Sequence, residues 1–462
     1  MAEQRDLVVI GGGPGGYAAA LYGAAAGLSV TVVEKEKVGG TCLHRGCIPA
    51  KQFLETATVM RTVAGAKEFG VQADQPALEF ATSQARKQRV VDQLWKGLQT
   101  LMKGRKISIV NGTGRLGPGR TVTVDDGTEL TAGHVIVATG SVPRTLPGFD
   151  VDGRVVMTSD ELLDLERLPA SAVVVGGGAI GCEFASMMSD LGTKVTILEV
   201  LPRLMPGCDA DVVKLVVKSF EKRGIDVRTD VKVNSHEPGD GQTTVHFGDG
   251  ETVSVEAVVV AIGRRPLSDN AGLDGTGVEV DDRGYITVDE RMRTGEDGVY
   301  AVGDVVNTPQ LAHVGFAEAI VAIKDMLGED TVPVDYQNVA WCIYCYPEVA
   351  FAGLSEQAAK EKGHDVVVSK HRFSGSSRAL IIGETEGMVK VIAERQPDGR
   401  AGRLLGVHMV GPLVTEQLAE GWLAVNWEAT PDDVSQFIHP HPTLSETFGE
   451  TVMSLTGRGL HG

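Results

Sequence analysis

Cys42 and Cys47 are the residues whose type and spacing most directly indicate chemistry in this chain. Two cysteines with four residues between them can form a disulfide only if the backbone folds back tightly, and Gly46 makes that bend easier. Pro49 suits the first turn of a helix, so we expect Cys47 just before a helix whose positive dipole end favours a thiolate. The stretch therefore predicts a redox-active pair that exchanges electrons as thiols and disulfide.

Two other readings of the cysteine pair are open. An inert structural disulfide is one, although a bond closing so short a loop would add little in a reducing compartment. Zinc binding is the other, but no second Cys/His pair lies nearby to complete a tetrahedral site, so no metal is expected.

Two copies of a strand, glycine turn, helix and strand pattern must position this pair. Each copy has three glycines spaced G-x-G-x-x-G after an apolar strand, and each ends its second strand on a glutamate. The internal spacing is the same in both copies, and glycines that merely form turns rarely occur as matched pairs. The positions are Gly11, Gly13, Gly16 and Glu34 in the first copy, and Gly176, Gly178, Gly181 and Glu199 in the second.

The glycine pattern predicts two dinucleotide-binding units. The first glycine makes the tight turn, the second admits a pyrophosphate to the helix N-terminus, and the third lets helix and strand pack closely. Glu34 and Glu199 are each expected to bind ribose hydroxyls. A carboxylate at Glu199 repels a 2′-phosphate, so the second unit should prefer NAD to NADP, although Arg203 could weaken that preference.

Further apolar strands end in short glycine turns at Thr139-Gly140, at Gly263 and at Gly303-Asp304. Asp304, at the carboxyl end of a buried strand, could reach a cofactor hydroxyl, or it could simply be a turn residue. After about residue 340 the pattern changes to mixed strands and helices without a fingerprint. The predicted fold is α/β, with two Rossmann-like dinucleotide-binding domains and a C-terminal α+β domain.

The bulk composition limits the possible partners and compartments. A chain of 462 residues is expected to form two to four domains, and its net charge of −18 argues against nucleic acid as a partner. No apolar run is long enough to cross a bilayer, so no membrane partner is expected. No signal peptide precedes the first strand, and six cysteines without such a signal indicate a reducing, cytoplasmic location.

Several motifs together resemble the pyridine nucleotide-disulfide oxidoreductases over essentially the whole chain. They include G-G-T-C-x4-C-x-P-x-K at 39–51, A-T-G at 138–140, Y-A-V-G-D at 300–304, L-A-H at 311–313 and H-P-H-P-T-L-S-E at 439–446. The resemblance is greatest to the branch that oxidises dihydrolipoamide. His44, Arg45 and Ala50 depart from the usual residues of the redox motif, which leaves the route of substrate access open.

The resemblance implies a division of the chain into four segments. Residues 1–147 would begin an FAD-binding domain, 148–270 would bind NAD, 271–338 would complete the FAD domain, and 339–462 would form a dimer interface. It implies a homodimer whose active site is shared across the interface. The implied protein partners are lipoyl domains of 2-oxoacid dehydrogenase or glycine cleavage complexes.

The resemblance also implies roles for individual residues. Cys47 would face the flavin as a thiolate and Cys42 would exchange with substrate, while Lys51 and Glu183 would pair near the flavin; the residues alone allow Lys51 to be a solvated surface lysine. The implied FAD contacts are Gly11, Gly13, Gly16, Glu34, Thr41, Lys51, Thr139, Gly140, Asp304, Ala312 and His313. The implied NAD contacts are Gly176, Gly178, Gly181, Glu199 and Gly263.

His441 is the candidate general base, held between two prolines. By resemblance it would act on Cys42 of the other subunit, with Glu446 orienting its ring, and it is favoured over His439 because the family places the base directly before Pro-Thr. The stretch 443–446 also has the pattern of a capping box, so Glu446 could simply cap a helix.

The expected activity is FAD-dependent oxidation of protein-bound dihydrolipoamide through the Cys42–Cys47 disulfide, with hydride transfer to NAD. Two rival interpretations are another flavin disulfide reductase, of the glutathione or mercuric type, and a non-catalytic redox-sensing flavoprotein. The presence of Cys42, Cys47, Lys51 and His441 together argues against the non-catalytic reading.

Overall fold

The first glycine fingerprint joins two neighbouring strands of a seven-stranded sheet. The computed structural model describes residues 3–461. Its elements up to residue 143 are β1 (Glu3–Ile10), α1 (Pro14–Ala25), β2 (Val30–Glu34), α2 (Gly40–Arg45), α3 (Cys47–Gly65), α4 (Phe80–Gly104), β3 (Ser108–Asn111), β4 (Gly114–Gly117), β5 (Thr121–Val124), β6 (Glu129–Val137) and β7 (Ser141–Pro143).

The second fingerprint lies in a separate five-stranded sheet. The elements of this part are β8 (Val156–Met157), α5 (Ser159–Leu162), β9 (Ser171–Val175), α6 (Ala179–Asp190), β10 (Lys194–Leu198), α7 (Ala210–Lys222), β11 (Asp226–Arg228), β12 (Val233–Pro238), β13 (Thr243–Phe247), β14 (Glu251–Val255), β15 (Ala257–Val260) and β16 (Arg264–Pro266).

The last third of the chain returns to the first sheet and then builds a new one. Its elements are β17 (Val299–Ala301), α8 (Ala312–Met326), β18 (Trp341–Ile343), β19 (Glu348–Gly353), α9 (Glu356–Glu361), β20 (Val366–Arg372), α10 (Ser377–Ile382), β21 (Met388–Arg395), β22 (Ala401–Gly411), α11 (Val414–Asn426), α12 (Pro431–Val434) and α13 (Glu446–Ser454). Short 3₁₀ helices span Ala66–Phe69, Pro118–Arg120, Gly303–Val305 and Phe373–Gly375.

Both nucleotide-type sheets have a parallel centre whose strands are buried on both faces. The first has the order β3-β2-β1-β6-β5-β4, with β17 pairing parallel to β6, and the second has the order β11-β10-β9-β15-β8. Residues 7–10 and 172–175 are almost completely buried, which explains why these strands are continuous apolar runs. The antiparallel pair β7–β16 links the two parts.

The C-terminal sheet is antiparallel, with the order β18-β19-β22-β21-β20. Helices α11 and α13 pack on it, and their apolar residues share one core with its strands. The predicted α/β fold with a C-terminal α+β part is therefore confirmed. The boundaries of the four predicted segments stay a prediction. Within residues 3–461, no helix is both long and apolar enough to span a membrane.

Candidate active site

The first and third glycines of each fingerprint are required by close backbone contact. Gly11 and Gly176 have φ of +101° and +105°, in the left-handed region that favours glycine. A Cβ on Gly16 would overlap the carbonyl oxygen of Gly11, and a Cβ on Gly181 would overlap that of Gly176. The helix therefore lies directly against its preceding turn in both units, as the spacing predicts.

The second glycine of each fingerprint faces open space. Gly13 and Gly178 are the N-cap residues of α1 and α6, and a Cβ on either would meet no atom within 4 Å. Free N–H groups at a helix N-terminus, next to a glycine that leaves room, form a site for a phosphate. Both sites therefore fit the pyrophosphate of a dinucleotide.

The two acids at the ends of the second strands are held by backbone N–H groups. The Glu34 carboxylate accepts from Gly12 N at 2.7 Å and Glu36 N at 2.8 Å, and the Glu199 carboxylate accepts from Gly177 N at 2.5 Å and Leu201 N at 2.7 Å. A carboxylate can accept about four hydrogen bonds, so each acid retains capacity for ribose hydroxyls.

One cleft of about 1890 Å³ joins the two fingerprints and the cysteine pair. It is larger than the roughly 300–1,000 Å³ of a pocket for one small ligand, which suits two dinucleotides. Most of the predicted site residues line it: Gly11, Gly13, Glu34, Thr41, Cys42, Cys47, Lys51, Thr139, Gly140, Gly176, Gly178, Glu183, Glu199, Gly263, Asp304 and Ala312.

The two cysteines lie on consecutive helices that are separated by a single glycine. Cys42 is in α2, a short helix that the sequence did not reveal, and Gly46 caps the following helix. The sequence placed Cys47 just before α3, whereas Cys47 is its first residue, which keeps the thiol at the positive end of the helix. Both cysteines are free thiols in this structure.

The two thiols differ in acidity because one donates a hydrogen bond to the other. The hydrogen bond from Cys42 lowers the pKa of Cys47 to about 7, and the positive charge of Lys51 acts in the same direction against burial. The same hydrogen bond and burial raise the pKa of Cys42. Cys47 is therefore the thiolate of the pair near neutral pH.

Lys51 and Glu183 form a direct ion pair at the cleft. Lys51 Nζ donates to the two carboxylate oxygens of Glu183 at 2.8 and 2.9 Å, and Tyr344 N donates to Glu183 Oε1 at 2.9 Å. Burial lowers the pKa of Lys51, but the neighbouring carboxylate outweighs it and the net shift is upward. The open reading of Lys51 as a solvated surface residue is therefore not what the structure shows.

A polar network surrounds the strand ends of the first unit. Ser141 Oγ donates to Asp304 Oδ2 at 2.6 Å, and Arg264 Nε donates to Ser141 Oγ at 2.7 Å. Within the described part of the chain, the buried Thr139 hydroxyl has no hydrogen-bond partner. An unsatisfied hydroxyl in the cleft that Asp304 also lines fits the polar chain of an FAD molecule. Sequence reasoning missed Ser141 and Arg264, although Ser141 directly follows the A-T-G motif.

Ala312 and His313 begin α8, but only one of them lines the cleft. Ala312 faces it, whereas His313 Nε2 donates to the carbonyl oxygen of Ala340 at 2.9 Å. The predicted contact of His313 with FAD stays a prediction.

His441 and Glu446 lie outside the cleft of their own chain. The His441 side chain is 69% exposed, and its Nδ1 is 2.8 Å from Glu446 Oε1. Glu446 Oε2 accepts from Thr443 N at 2.8 Å, and Glu446 N donates to Thr443 Oγ1 at 3.3 Å. One carboxylate oxygen thus binds Thr443 N in the turn before α13 and the other holds the histidine, whereas the N-cap of α13 is Ser445, without a side-chain cap. His439 instead contacts Glu420, at 2.8 Å.

Comparison with protein families matches nearly the whole chain. Residues 5–319 match the family described as pyridine nucleotide-disulphide oxidoreductase. Residues 339–452 match the dimerisation domain of the same family.

Individual relatives and solved structures agree with the family match. The chain is 44% identical to a dihydrolipoyl dehydrogenase of Bacillus subtilis and 38% identical to one of Rhizobium etli, over the full length of both partners in each comparison. It resembles the crystal structure of LpdA from Mycobacterium tuberculosis with a TM-score of 0.91 at 27% identity, covering 98% of this chain and 100% of that one. The HOCl-induced flavoprotein disulfide reductase RclA of Escherichia coli has a TM-score of 0.87 at 26% identity, covering 97% and 99%.

Proposed function

Because the chain belongs to the pyridine nucleotide-disulphide oxidoreductase family, we propose that it is a dihydrolipoyl dehydrogenase that oxidises protein-bound dihydrolipoamide with FAD and NAD as cofactors. The observation that carries the proposal is the Cys47 thiol, with a pKa of about 7, paired with Cys42 in the cleft between two fingerprints. The identity of 44% over the whole length to a dihydrolipoyl dehydrogenase supports the substrate class.

The cysteine pair works as a disulfide in the oxidised enzyme. One thiolate of the substrate dithiol attacks Cys42 Sγ, the Cys42–Cys47 bond breaks, and Cys47 leaves as a thiolate. A thiol of low pKa is the better leaving group, which is why Cys47 and not Cys42 departs. The second substrate thiol then attacks the mixed disulfide, forms the lipoamide ring and releases Cys42 with a proton. Two electrons now reside on the cysteine pair.

The residues around the pair supply charge and proton transfer. Lys51 Nζ, on the same helix as Cys47, stabilises negative charge on that side of the cleft, and Glu183 fixes the position of the ammonium group. The first fingerprint, with Glu34, Thr139 and Asp304, would hold FAD, which would supply an acceptor for the electron pair and a hydride donor for NAD at the second fingerprint. Glu199 favours NAD because its carboxylate repels a 2′-phosphate.

His441 supplies the base from the second subunit of a homodimer. Its exposure, outside the cleft of its own chain, supports a role across a dimer interface, as does the dimerisation domain. Glu446 orients the ring and stabilises the imidazolium that forms when the substrate thiol loses its proton. The proposed carriers of substrate are lipoyl domains of 2-oxoacid dehydrogenase or glycine cleavage complexes.

The proposed location is the cytoplasm. Cys182, Cys208 and Cys345 are buried free thiols in addition to the redox pair, and proteins of oxidising compartments usually carry such cysteines as disulfides.

An anaerobic titration of the FAD-loaded enzyme tests the function. One equivalent of dihydrolipoamide should produce a long-wavelength thiolate–flavin absorption band, and NAD should then remove it. Cys42→Ser should abolish turnover of dihydrolipoamide, whereas Cys208→Ala, at a buried position outside the cleft, should keep it. Absence of the band in the unaltered enzyme would contradict the proposal.

A panel of donors and acceptors separates the rival functions. The kcat/KM for oxidation of dihydrolipoamide with NAD should exceed the kcat/KM for reduction of oxidised glutathione or mercuric ion. It should also exceed the kcat/KM of every combination with NADP or NADPH. Faster turnover of another disulfide would support a different reductase, and no turnover at all with a bound flavin would support a redox sensor.

A further inference from the structure

One face of α6 contacts three separate parts of the chain. Ser186 and Asp190 follow Glu183 by three and seven residues, so the three side chains lie on the same side of the helix. This face meets α3, the C-terminal end of α7 and the segment that follows β18. At the N-terminal end of the face, Lys51 Nζ and Tyr344 N donate to the Glu183 carboxylate.

The other end of the face carries a second buried ion pair. The Asp190 side chain is only 6% exposed and accepts from Arg61 Nη1 and, at 2.5 Å, from Arg223 Nη1. Arg223 Nη2 also donates to the carbonyl oxygen of Tyr346 at 2.7 Å. Two guanidinium groups on one carboxylate leave no uncompensated negative charge in the interior.

Tyr346, in the segment that follows β18, packs its ring against both arginines that bind Asp190. The Arg61 guanidinium lies 4.2 Å from the centre of the Tyr346 ring, and that of Arg223 lies 5.3 Å from it. Tyr346 N donates to Ser186 Oγ at 2.9 Å. Cation–π contacts of this kind add to the ion pairs when they are shielded from water.

Two ion pairs on the same two helices fix their relative position. On α3, Lys51 and Arg61 are ten residues apart, about 15 Å along the helix axis. On α6, Glu183 and Asp190 are seven residues apart, about 10 Å. Apolar residues of both helices share one core, and two ion pairs this far apart add polar contacts that restrict both the distance between the helices and their crossing angle.

We propose that Arg61 and Asp190 are positioning residues that hold α3 against α6, so that Glu183 stays beside Lys51 and Cys47. The inference rests on the proposed function, because it concerns the same redox pair. It gives the far end of α3 a role in the chemistry at its near end. The alternative is that the Arg61–Asp190 ion pair only stabilises the fold and has no effect on the redox pair.

The charged and titratable groups around Cys47 determine how its pKa would change if α3 moved away from α6. They come from four helices: Cys42 lies on α2, Lys51 on α3, Glu183 on α6 and Tyr17 on α1. Lys51 shares a helix with Cys47 and would move with it, whereas Glu183 would be left behind. Because the Glu183 carboxylate raises the pKa of Cys47, its withdrawal would lower that pKa.

Arg61→Met is the variant that tests the proposal. Methionine keeps much of the aliphatic stem, and Arg223 continues to pair with Asp190, so no buried carboxylate loses all its partners. In the two-electron-reduced holoenzyme, the pH midpoint of the thiolate–flavin band should shift downward. The kcat for dihydrolipoamide should fall on the order of tenfold, because a small misplacement of reacting groups is costly.

Arg61→Lys and Arg167→Met serve as matched controls. Lysine restores the charge at position 61 and should return the midpoint and kcat most of the way to those of the unaltered enzyme. Arg167 also forms an ion pair, with Glu256 at 3.1 Å, but its side chain is 77% exposed, and its hydrogen bonds go to Glu256 and to the carbonyl oxygen of Leu168, outside both helices. Its replacement should change neither the midpoint nor kcat.

The outcomes separate this inference from the proposed function. If Arg61→Met lowers only the melting temperature and leaves the midpoint and kcat unchanged, the positioning role is overturned. If the unaltered enzyme fails to oxidise dihydrolipoamide, the proposed function fails, and the midpoint after reduction with dithionite still decides the positioning role. A downward shift that lysine reverses supports it in either case.

Discussion

The two glycine fingerprints have nearly the same backbone and very different surroundings. Their first glycines have φ of +101° and +105°, their second glycines face open space, and their terminal acids accept two backbone N–H groups each. After Glu34 the chain turns into α2 and α3 and delivers Cys42 and Cys47 to the cleft. After Glu199 it runs into a loop and α7 instead.

The segment after the second acid anchors the unit to the C-terminal sheet. Asp209 and Asp211, at the start of α7, accept from the buried Lys390 Nζ at 2.9 and 2.7 Å. The comparison teaches that the glycine turn defines nucleotide binding, whereas the connection that follows the acid defines what else the unit does. One connection carries the proposed redox pair, and the other holds two parts of the molecule together.

Loss of Cys47 should have the largest effect of the substitutions considered. It removes the thiol that distinguishes the first unit from the second and leaves both nucleotide sites in place. In Cys47→Ser no disulfide can form, so dihydrolipoamide oxidation should fall at least about a thousandfold. The second unit should still bind NADH and reduce bound flavin, since that transfer needs no thiol. Steady-state assays with dihydrolipoamide and NAD, and with NADH and an artificial acceptor of flavin electrons, measure the two activities.

The matched variant for this experiment is Cys345→Ala, a buried cysteine outside the cleft. It should retain both activities. Dihydrolipoamide turnover that survives in Cys47→Ser would mean that the pair is not the redox centre, whatever the substrate.

Much of this comparison could be predicted from the sequence because it is local. The glycine spacing, the apolar strands and the terminal acids all lie within about 25 residues of each other, and the structure places them as expected. The short helix α2 was missed, because it depends on left-handed Gly39 and Gly40 and on the bond between His44 and Val38 O. Six residues have little helical preference alone.

Contacts between distant parts of the chain were harder to predict. Lys51 and Glu183 are 132 residues apart, and only the resemblance to a family suggested that they meet. Asp190 and Arg61 carry no local signal, because charged residues on helices are usually solvated. Glu446 was read as either a helix cap or a partner of His441. Its two carboxylate oxygens face His441 and Thr443 N, while the N-cap of α13 is Ser445, without a side-chain cap.

Replacing the third glycine of each fingerprint should separate the two sites. In Gly16→Ala and Gly181→Ala, the new Cβ would overlap the turn beneath it and push the helix away, at a cost of about 1–3 kcal/mol in unfolding free energy. Gly16→Ala should lose FAD on purification. Gly181→Ala should keep FAD and raise the KM for NAD by on the order of a hundredfold.

Gly97→Ala is the control for these glycines. Gly97 lies within α4, and a Cβ there would meet no atom within 4 Å, so alanine should stabilise the helix by up to about 1 kcal/mol. Flavin absorbance per chain, melting temperature and KM for NAD are the measurements. Equal loss of FAD in both fingerprint variants would show that the two units do not bind different nucleotides.

Charge substitutions at the ion pair should move the pKa of Cys47 in opposite directions. Lys51 lowers that pKa and Glu183 raises it. In Lys51→Met the pKa should rise from about 7, so the thiolate present at pH 7 decreases and kcat falls on the order of tenfold. In Glu183→Gln the pKa should fall, and the thiolate should persist to lower pH.

A pH titration of the thiolate–flavin band in the two-electron-reduced enzyme measures both shifts. Lys222→Met removes an exposed lysine that pairs with Glu386, and it should leave the midpoint unchanged. Shifts of the same sign in Lys51→Met and Glu183→Gln would show that the pair acts through structure and not through charge.

The smallest expected effect is a change in coenzyme preference, which should follow substitution of Glu199 but not of Glu34. In Glu199→Gln the charge that repels a 2′-phosphate is gone, so the ratio of kcat/KM for NAD to that for NADP should fall by about tenfold, or about 1.4 kcal/mol. Arg203 cannot easily mask the change, because its Nη2 donates to the carbonyl oxygen of Pro206 at 3.1 Å.

Glu34→Gln alters the matching acid of the first unit. FAD carries no 2′-phosphate, so this variant should weaken retention of the flavin and leave the preference for NAD unchanged. If Glu34→Gln changed the coenzyme ratio and Glu199→Gln did not, the assignment of the two nucleotides would have to be exchanged, because only the acid beside the pyridine nucleotide can sense the extra phosphate.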